Sequence, residues 1–110
     1  WVPWLLHALD EAQTKHHFWV FPKLPMKCSE YYVRQGFAAF QDDPVGLKFI
    51  DRFENNFMWS NDYPHHEGTW PYSQSIIETT MAHLTPMQLR KVLGENAAKA
   101  YGFEIPADRV

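Results

Sequence analysis

The residues best suited to chemistry lie within one short loop of the chain. Asp62 comes just after the apolar run 57–59, and a proline-bracketed stretch behind it contains His65, His66 and Trp70. A short apolar run of this kind predicts a buried strand, which places Asp62 where the strand ends. A desolvated carboxylate needs a cation or several hydrogen-bond donors nearby. The pattern therefore predicts that Asp62 is a metal ligand or a general base.

Each of these residues also has a structural explanation. Asp62 could instead accept hydrogen bonds from the N–H groups of His65 or its neighbours in an Asx turn, and the pattern alone favours neither alternative. His65 and His66 are adjacent, so in an extended loop they point to opposite sides and cannot easily face one metal. Trp70 could pack over a bound organic acid or aromatic ring, or equally cover the core.

Other chemistry is less well supported by the sequence. The single cysteine, Cys28, has no obvious base partner, so we do not expect a catalytic nucleophile there. Neither His-Xaa-His nor His-Glu-Xaa-Xaa-His occurs in the chain. These patterns leave Asp62 as the main candidate for chemistry.

Composition limits the class of protein and its partners. The 110 residues carry a formal net charge of −3, and their ten Lys and Arg form no basic stripe, so we do not expect a nucleic-acid partner. No apolar run approaches the roughly 20 residues of a membrane helix, so we expect no membrane partner. One cysteine excludes an intramolecular disulfide and fits a reducing compartment, so we expect a cytoplasmic location.

Helices are predicted at both ends of the chain. The first spans about residues 3–18, and its inward face is predicted to contain Trp1, Trp4, Leu5, Ala8, Leu9 and Ala12. Ser29 is predicted to cap a short helix that runs to Gln35. A helix over about 73–83 is followed by one that starts with the capping box of Thr85 and directs Leu89, Val92 and Leu93 inward until Gly94. Asn96 is predicted to cap a last helix ending at Gly102, with a tail over 104–110.

A strand–helix–strand unit is predicted between these helices. Residues 37–40 and 57–60 form its two strands, and the helix between them is predicted to bury Leu47, Ile50 and Phe53. Such a unit normally has parallel strands and a right-handed crossover.

Several motifs occur in one order along the chain. They are Trp59-Ser60-Asn61-Asp62-Tyr63-Pro64-His65, Gly68-Thr69-Trp70-Pro71 and Leu93-Gly94-Glu95-Asn96-Ala97-Ala98-Lys99-Ala100-Tyr101-Gly102-Phe103, with Ser29-Glu30-Tyr31 and Phe40-Gln41-Asp42-Asp43-Pro44-Val45-Gly46-Leu47 upstream. Together they resemble the C-terminal third of an amidohydrolase-related protein, in the branch that includes aminocarboxymuconate-semialdehyde decarboxylase. The resemblance covers nearly all of the chain.

The resemblance implies a metal-dependent hydrolase or decarboxylase that acts on a small organic acid. Asp62 would close the last strand of a (β/α)₈ TIM barrel, contact a divalent metal, and accept a proton from metal-bound water. His65 and Trp70 are predicted to bind substrate. Zinc is the expected metal and manganese is an alternative; the sequence does not choose between hydrolysis and decarboxylation.

The family's remaining metal ligands do not occur in this sequence. A catalytic zinc site keeps about three protein ligands, so we expect the chain alone to lack the metal and to be inactive. A complete barrel also needs roughly 200 residues or more. We therefore predict an α/β fold, an incomplete (β/α)₈ segment with two short parallel strands, forming one domain over residues 1–110.

Two functions remain open at this point. The chain is either the C-terminal segment of such an enzyme or a non-catalytic truncated fragment that folds as an oligomeric helical module. Two strands cannot close a barrel, and 8 Phe, 5 Tyr and 5 Trp are many for this length. We therefore expect an exposed apolar face and a homo-oligomer.

Overall fold

Helices make up most of the structure. The computed structural model describes residues 1–106. Its helices are α1 (Val2–Lys15), α2 (Cys28–Gln35), α3 (Ile50–Phe53), α4 (Ser73–Thr80), α5 (Pro86–Arg90) and α6 (Asn96–Tyr101). A 3-10 turn (Gly46–Phe49) leads into α3, and a π turn (Lys91–Glu95) joins α5 to α6.

Two strands form a parallel sheet. Strand β1 (Ala38–Phe40) pairs with β2 (Phe57–Trp59), with Ala38 opposite Phe57 and Phe40 opposite Trp59. The 3-10 turn and α3 make the crossover between them. The predicted strand–helix–strand unit is confirmed, and both strands end at the same edge of the sheet. The fold is therefore mixed α/β with a two-stranded parallel sheet.

The crossover supplies the centre of the hydrophobic core. Leu47, Ile50 and Phe53 are at most 5% exposed, as predicted. The ring of Phe53 stacks on that of Phe57, with 5.3 Å between centroids. Met81, directly after α4, and Val92, in the π turn, are each 1% exposed and join the same cluster. Burial of these side chains fixes α3 against β2.

The predicted inward face of α1 is wrong. Val2 and Leu6 are the buried residues of this helix, whereas Trp1, Trp4, Leu5 and Leu9 are among its exposed apolar residues. Val2, Leu6 and Asp10 are spaced four residues apart and share one face of α1. This face packs inward, and Asp10 on it accepts a hydrogen bond from Ser29 of α2. The helix also ends at Lys15 rather than at residue 18.

Ser29 does not cap α2 as predicted. The cap position is Lys27, whose N–H donates to the Glu30 carboxylate at 2.8 Å. Ser29 lies in the first turn, where its hydroxyl donates to Asp10. Both the hydroxyl and the backbone N–H of Ser29 donate to the Asp10 carboxylate. Hydrogen bonds to a charged acceptor are strong, and they tie Ser29 to α1 instead of leaving its oxygen to accept a backbone N–H.

The C-terminal helices differ from the prediction in part. The capping box at Thr85 is confirmed, because its hydroxyl accepts the Gln88 N–H at 3.2 Å and Gln88 accepts the Thr85 N–H at 3.0 Å. The helix does not stop at Gly94; it continues through the π turn, and Leu93 is exposed at the surface. Asn96 is not a cap, since its side chain bonds buried carbonyls.

The last helix does end at Gly102, which has a φ of 71°. Residues 107–110 of the predicted tail lie outside the described residues. No helix found in the described part of the chain has the length and apolar character needed to cross a membrane.

Candidate functional site

An open cavity of about 510 Å³ lies at the carboxyl ends of β1 and β2. The segment after β1 contributes Gln41 and Asp42, the segment after β2 contributes Ser60 and Asp62, and Thr69 comes from the following loop. The carboxyl ends of parallel strands are the usual place for ligand sites in α/β folds. The topology therefore gathers these polar residues at one edge.

The Asp62 carboxylate has two polar neighbours. The Gln41 side-chain amide donates to Oδ2 of Asp62 at 3.0 Å, and Nδ1 of His65 lies 3.4 Å from the same oxygen. The Asp62 side chain is 47% exposed. Because the cavity is open, the Asp62 carboxylate is accessible to solvent. The expectation that this carboxylate is desolvated is therefore wrong.

The backbone at Asp62 has an unusual conformation. Its φ of 56° is in the left-handed region, which Asp and Asn enter more easily than other residues with side chains. The His65 N–H donates to the Asp62 backbone carbonyl at 2.8 Å, and Oδ1 of Asn61 accepts the Tyr63 N–H at 3.1 Å. The Asx turn is therefore formed by Asn61, which leaves the Asp62 carboxylate available to the cavity.

The loop after Asp62 closes on itself at Gly68. A Cβ at Gly68 would lie 2.7 Å from the Asn61 carbonyl oxygen and 2.9 Å from that of His65. Both atoms belong to the backbone, so no side-chain movement relieves the overlap. The Thr69 N–H then donates to the Asn61 carbonyl at 2.9 Å. Glycine is thus required for the close approach that holds the loop beside the strand end.

The other predicted site residues lie near Asp62 to different degrees. His65 contacts the carboxylate but does not line the cavity, and the ring of His66 lies 4.5 Å from that of His65. Trp70 is 61% exposed and packs edge-on against Tyr63, with 5.4 Å between ring centroids. Substrate binding by His65 and Trp70 stays a prediction.

Gln41 is the site residue that the sequence prediction missed. Its position directly after β1 was the available signal, because residues that follow parallel strands meet at one edge of the sheet. Ser60 and Thr69 also line the cavity. Thr69 is buried, and its hydroxyl lies 2.9 Å from that of Ser73, which joins the loop to the start of α4.

The charge of the cavity is negative. Asp42, Asp62 and Glu67 line it, and among the described residues no Lys, Arg or His does. Asp42 accepts a hydrogen bond from the Thr80 hydroxyl at 2.9 Å. This wall therefore suits a reacting water or a hydrogen-bond donor, and the carboxylate of an organic acid would need a cationic partner from elsewhere.

A catalytic metal does not fit the described residues by themselves. Within residues 1–106, no group of three or more His, Cys, Asp or Glu side chains is placed to hold a metal ion. Asp62 and His65 are two side chains, whereas a catalytic zinc keeps about three protein ligands. Oδ2 of Asp62 already contacts Gln41 and His65.

Comparison with protein families gives a match over most of the chain. A protein-family model described as Amidohydrolase matches residues 2–103, a range that includes both strands and the whole Asp62 loop. No curated protein matches the chain.

Proposed function

Because the chain belongs to the amidohydrolase family, we propose that the open cavity forms one wall of a hydrolase or decarboxylase active site. The substrate of this proposal is a small organic acid. The motif from Trp59 to His65 supports the branch that includes aminocarboxymuconate-semialdehyde decarboxylase, and the parallel strands support a segment of a (β/α)₈ barrel. The single cysteine supports a cytoplasmic location.

The position of Asp62 carries the proposal. Its carboxylate lies at the carboxyl edge of a parallel sheet, lines the cavity, and has one oxygen in contact with Gln41. A carboxylate in this position can accept a proton from a water or a substrate group in the cavity. We assign to Asp62 the role of proton acceptor.

His65 and Trp70 have supporting roles in the proposal. His65 lies beside Asp62, with Nδ1 3.4 Å from Oδ2, and would bind a substrate oxygen. Trp70 and Tyr63 form an exposed aromatic pair at the end of the same loop. This pair would cover an organic substrate that enters the cavity.

The proposal includes a divalent metal, with zinc as the first choice. Such a metal would need further ligands from outside residues 1–106. The described residues offer Asp62 and His65 but no three-ligand group. We therefore assign no chemical step to the metal. The wall of the cavity is acidic, so cationic groups from outside these residues would have to bind the carboxylate of the substrate.

A second candidate function is a non-catalytic oligomeric module. The observation in its favour is the extent of exposed apolar surface, such as Trp4 at 73% and Val45 at 66% exposed. In this alternative the chain functions only through oligomerisation, and no reaction is catalysed in the cavity.

The test replaces Asp62 by Asn in the complete gene product. Hydrolysis and decarboxylation of a panel of small carboxylic acids are measured with and without added zinc, together with the metal content of the protein. Loss of a proton acceptor should lower kcat/KM by about 100-fold or more. The matched control is Asp51→Asn. Asp51 also accepts a hydrogen bond from a glutamine side chain, that of Gln88, at 2.9 Å, but it lies outside the cavity.

The outcomes separate the two candidates. Turnover that falls in Asp62→Asn and not in Asp51→Asn supports the catalytic proposal. Equal turnover in the wild type and Asp62→Asn would refute the role of Asp62. If no acid of the panel is converted while the protein forms a stable oligomer, the non-catalytic module becomes the better description.

A further inference from the structure

We infer that Gln41 is the positioning residue of Asp62, an inference that rests on the proposed function of the cavity. Gln41 follows β1 directly, and Asp62 follows β2 after two intervening residues, so the contact joins the ends of both strands. The amide of Gln41 donates to Oδ2 at 3.0 Å, and both residues line the cavity.

The contact leaves one carboxylate oxygen available for chemistry. In the hydrogen-bond network of residues 1–106, the Gln41 amide engages Oδ2, and Oδ1 of Asp62 receives no donor. His65 approaches the same Oδ2, at 3.4 Å. The Gln41 amide therefore holds one side of the carboxylate, while the other side stays free to accept a proton.

Asp62 needs such a contact because little else holds its side chain. The side chain is 47% exposed and follows a backbone in the left-handed region, so packing alone does not select one orientation. A glutamine amide is also a neutral donor. It orients the carboxylate without the neutralising charge that a Lys or Arg would bring to the cavity.

A purely structural role for Gln41 must be distinguished from this one. Amide–carboxylate contacts also occur away from the cavity, between Gln74 and Glu78 at 2.8 Å and between Gln88 and Asp51 at 2.9 Å. A positioning residue acts through Asp62, whereas a structural tie affects the fold independently of it. Coupling between the two positions therefore decides the question.

The experiment is a double-mutant cycle in the complete gene product, with the substrate found by the panel above. Gln41→Leu keeps the size of the side chain and removes the donor. We expect kcat to fall about 10- to 100-fold with KM within about twofold, because a misplaced catalytic group costs rate rather than substrate affinity. Gln41→Glu keeps the shape of the side chain but places a second carboxylate against that of Asp62. Its kcat should fall by at least as much.

The coupled variant supplies the decisive comparison. In an Asp62→Asn background, Gln41→Leu should change kcat no further, since the group on which it acts is gone. Gln74→Leu is the matched control, because it removes the same kind of contact on the exposed face of α4. This control should leave kcat within about twofold of the wild type.

A second readout is independent of turnover. The side-chain amide resonances of Gln41 in a ¹H–¹⁵N spectrum should move in Asp62→Asn and stay in place in Asp51→Asn. Those of Gln88 should show the opposite response, because Gln88 contacts Asp51. Unmoved Gln41 resonances in Asp62→Asn would show that the contact does not form in solution and would overturn the inference.

The failures of the two proposals can be told apart. If Asp62→Asn leaves turnover unchanged, the proposed function fails and the positioning role fails with it. If Asp62→Asn lowers turnover while Gln41→Leu does not, or if the two losses multiply, only the role of Gln41 is overturned.

Discussion

At the scale of residues, the contact between Asp10 and Ser29 joins the first two helices. The Ser29 N–H donates to one carboxylate oxygen of Asp10 at 2.9 Å, and the Ser29 hydroxyl donates to the other at 2.6 Å. Partial burial acts to raise the pKa of Asp10. The hydrogen bonds from Ser29, with the positive charges of Lys27 and Arg52, outweigh burial and lower the pKa below 3.8.

A pH-dependent stability follows from this contact. Because the pKa of Asp10 is lower in the folded than in the unfolded state, the stabilisation is present above pH 3.8 and is lost as the pH falls through the folded-state value. Ser29→Ala removes a buried hydroxyl that donates to a charge. It should lower the free energy of unfolding by about 1 to 2 kcal/mol at pH 7.

Urea unfolding of the wild type and Ser29→Ala at pH 7 and pH 3 provides the measurement. The difference between the two proteins should shrink at pH 3, because Asp10 of the unfolded chain takes up a proton below pH 3.8 while its folded-state pKa is lower. Ser75→Ala, on the exposed surface of α4, is the control and should change stability by less than about 0.5 kcal/mol. A difference between wild type and Ser29→Ala that is the same at both pH values would contradict the prediction.

At the scale of elements, the π turn between α5 and α6 directs an asparagine into the core. Each turn of a π helix holds more residues than an α turn, so the residues after it rotate around the axis. Asn96 begins α6 directly after this turn and is 4% exposed. Its amide donates to the carbonyls of Glu54 and Phe57, both at 2.8 Å. The last helix is thereby fastened to the beginning of β2.

Replacement of Asn96 by Leu should test this attachment. Leucine has a similar size but no donor, so the buried carbonyls of Glu54 and Phe57 would lose a partner. We expect the free energy of unfolding to fall by about 2 to 3 kcal/mol, with faster amide hydrogen exchange in β2.

The control for this prediction is Asn55→Leu, at the exposed neighbour of the turn before β2. It changes the same residue type without removing a buried hydrogen bond. Urea unfolding and hydrogen exchange measure both variants. An Asn96→Leu protein as stable as Asn55→Leu would show that the attachment contributes nothing.

At the scale of the whole molecule, the chain is extended for its size. Its radius of gyration is 16.3 Å, compared with roughly 13 Å expected for a compact domain of this length. An apolar surface composed of Trp1, Trp4, Val45 and Phe49 borders an open cavity of about 430 Å³. These four side chains are each at least 48% exposed, so the expected exposed apolar face is present.

This apolar surface supports the proposed homo-oligomer. Because burial of the exposed aromatic side chains is favourable, light scattering of the 110-residue chain at micromolar concentration should give a mass above 13.0 kDa. Trp4→Glu should lower that mass toward the monomer value. Met87→Glu, at an exposed apolar residue of α5, should not. A monodisperse monomer of the wild type would contradict the proposal.

Local signals in the sequence were sufficient for the central unit of the fold. The apolar spacing of Leu47, Ile50 and Phe53 predicted the buried side of the crossover, and the short apolar run before Asp62 predicted β2. The capping box at Thr85 and the glycine at 102 gave helix boundaries. These features were predictable because each depends on residues close together in sequence.

The sequence by itself also determined that Asp62 follows a buried strand, since strand and carboxylate are neighbours along the chain. Only the tertiary structure decided that Gln41 contacts Asp62 and which stripe of α1 is buried. Gln41 and Asp62 are 21 residues apart, and Asp10 and Ser29 are 19 apart. Contacts over such separations depend on how whole elements pack, because no local pattern specifies which partner a polar side chain will meet.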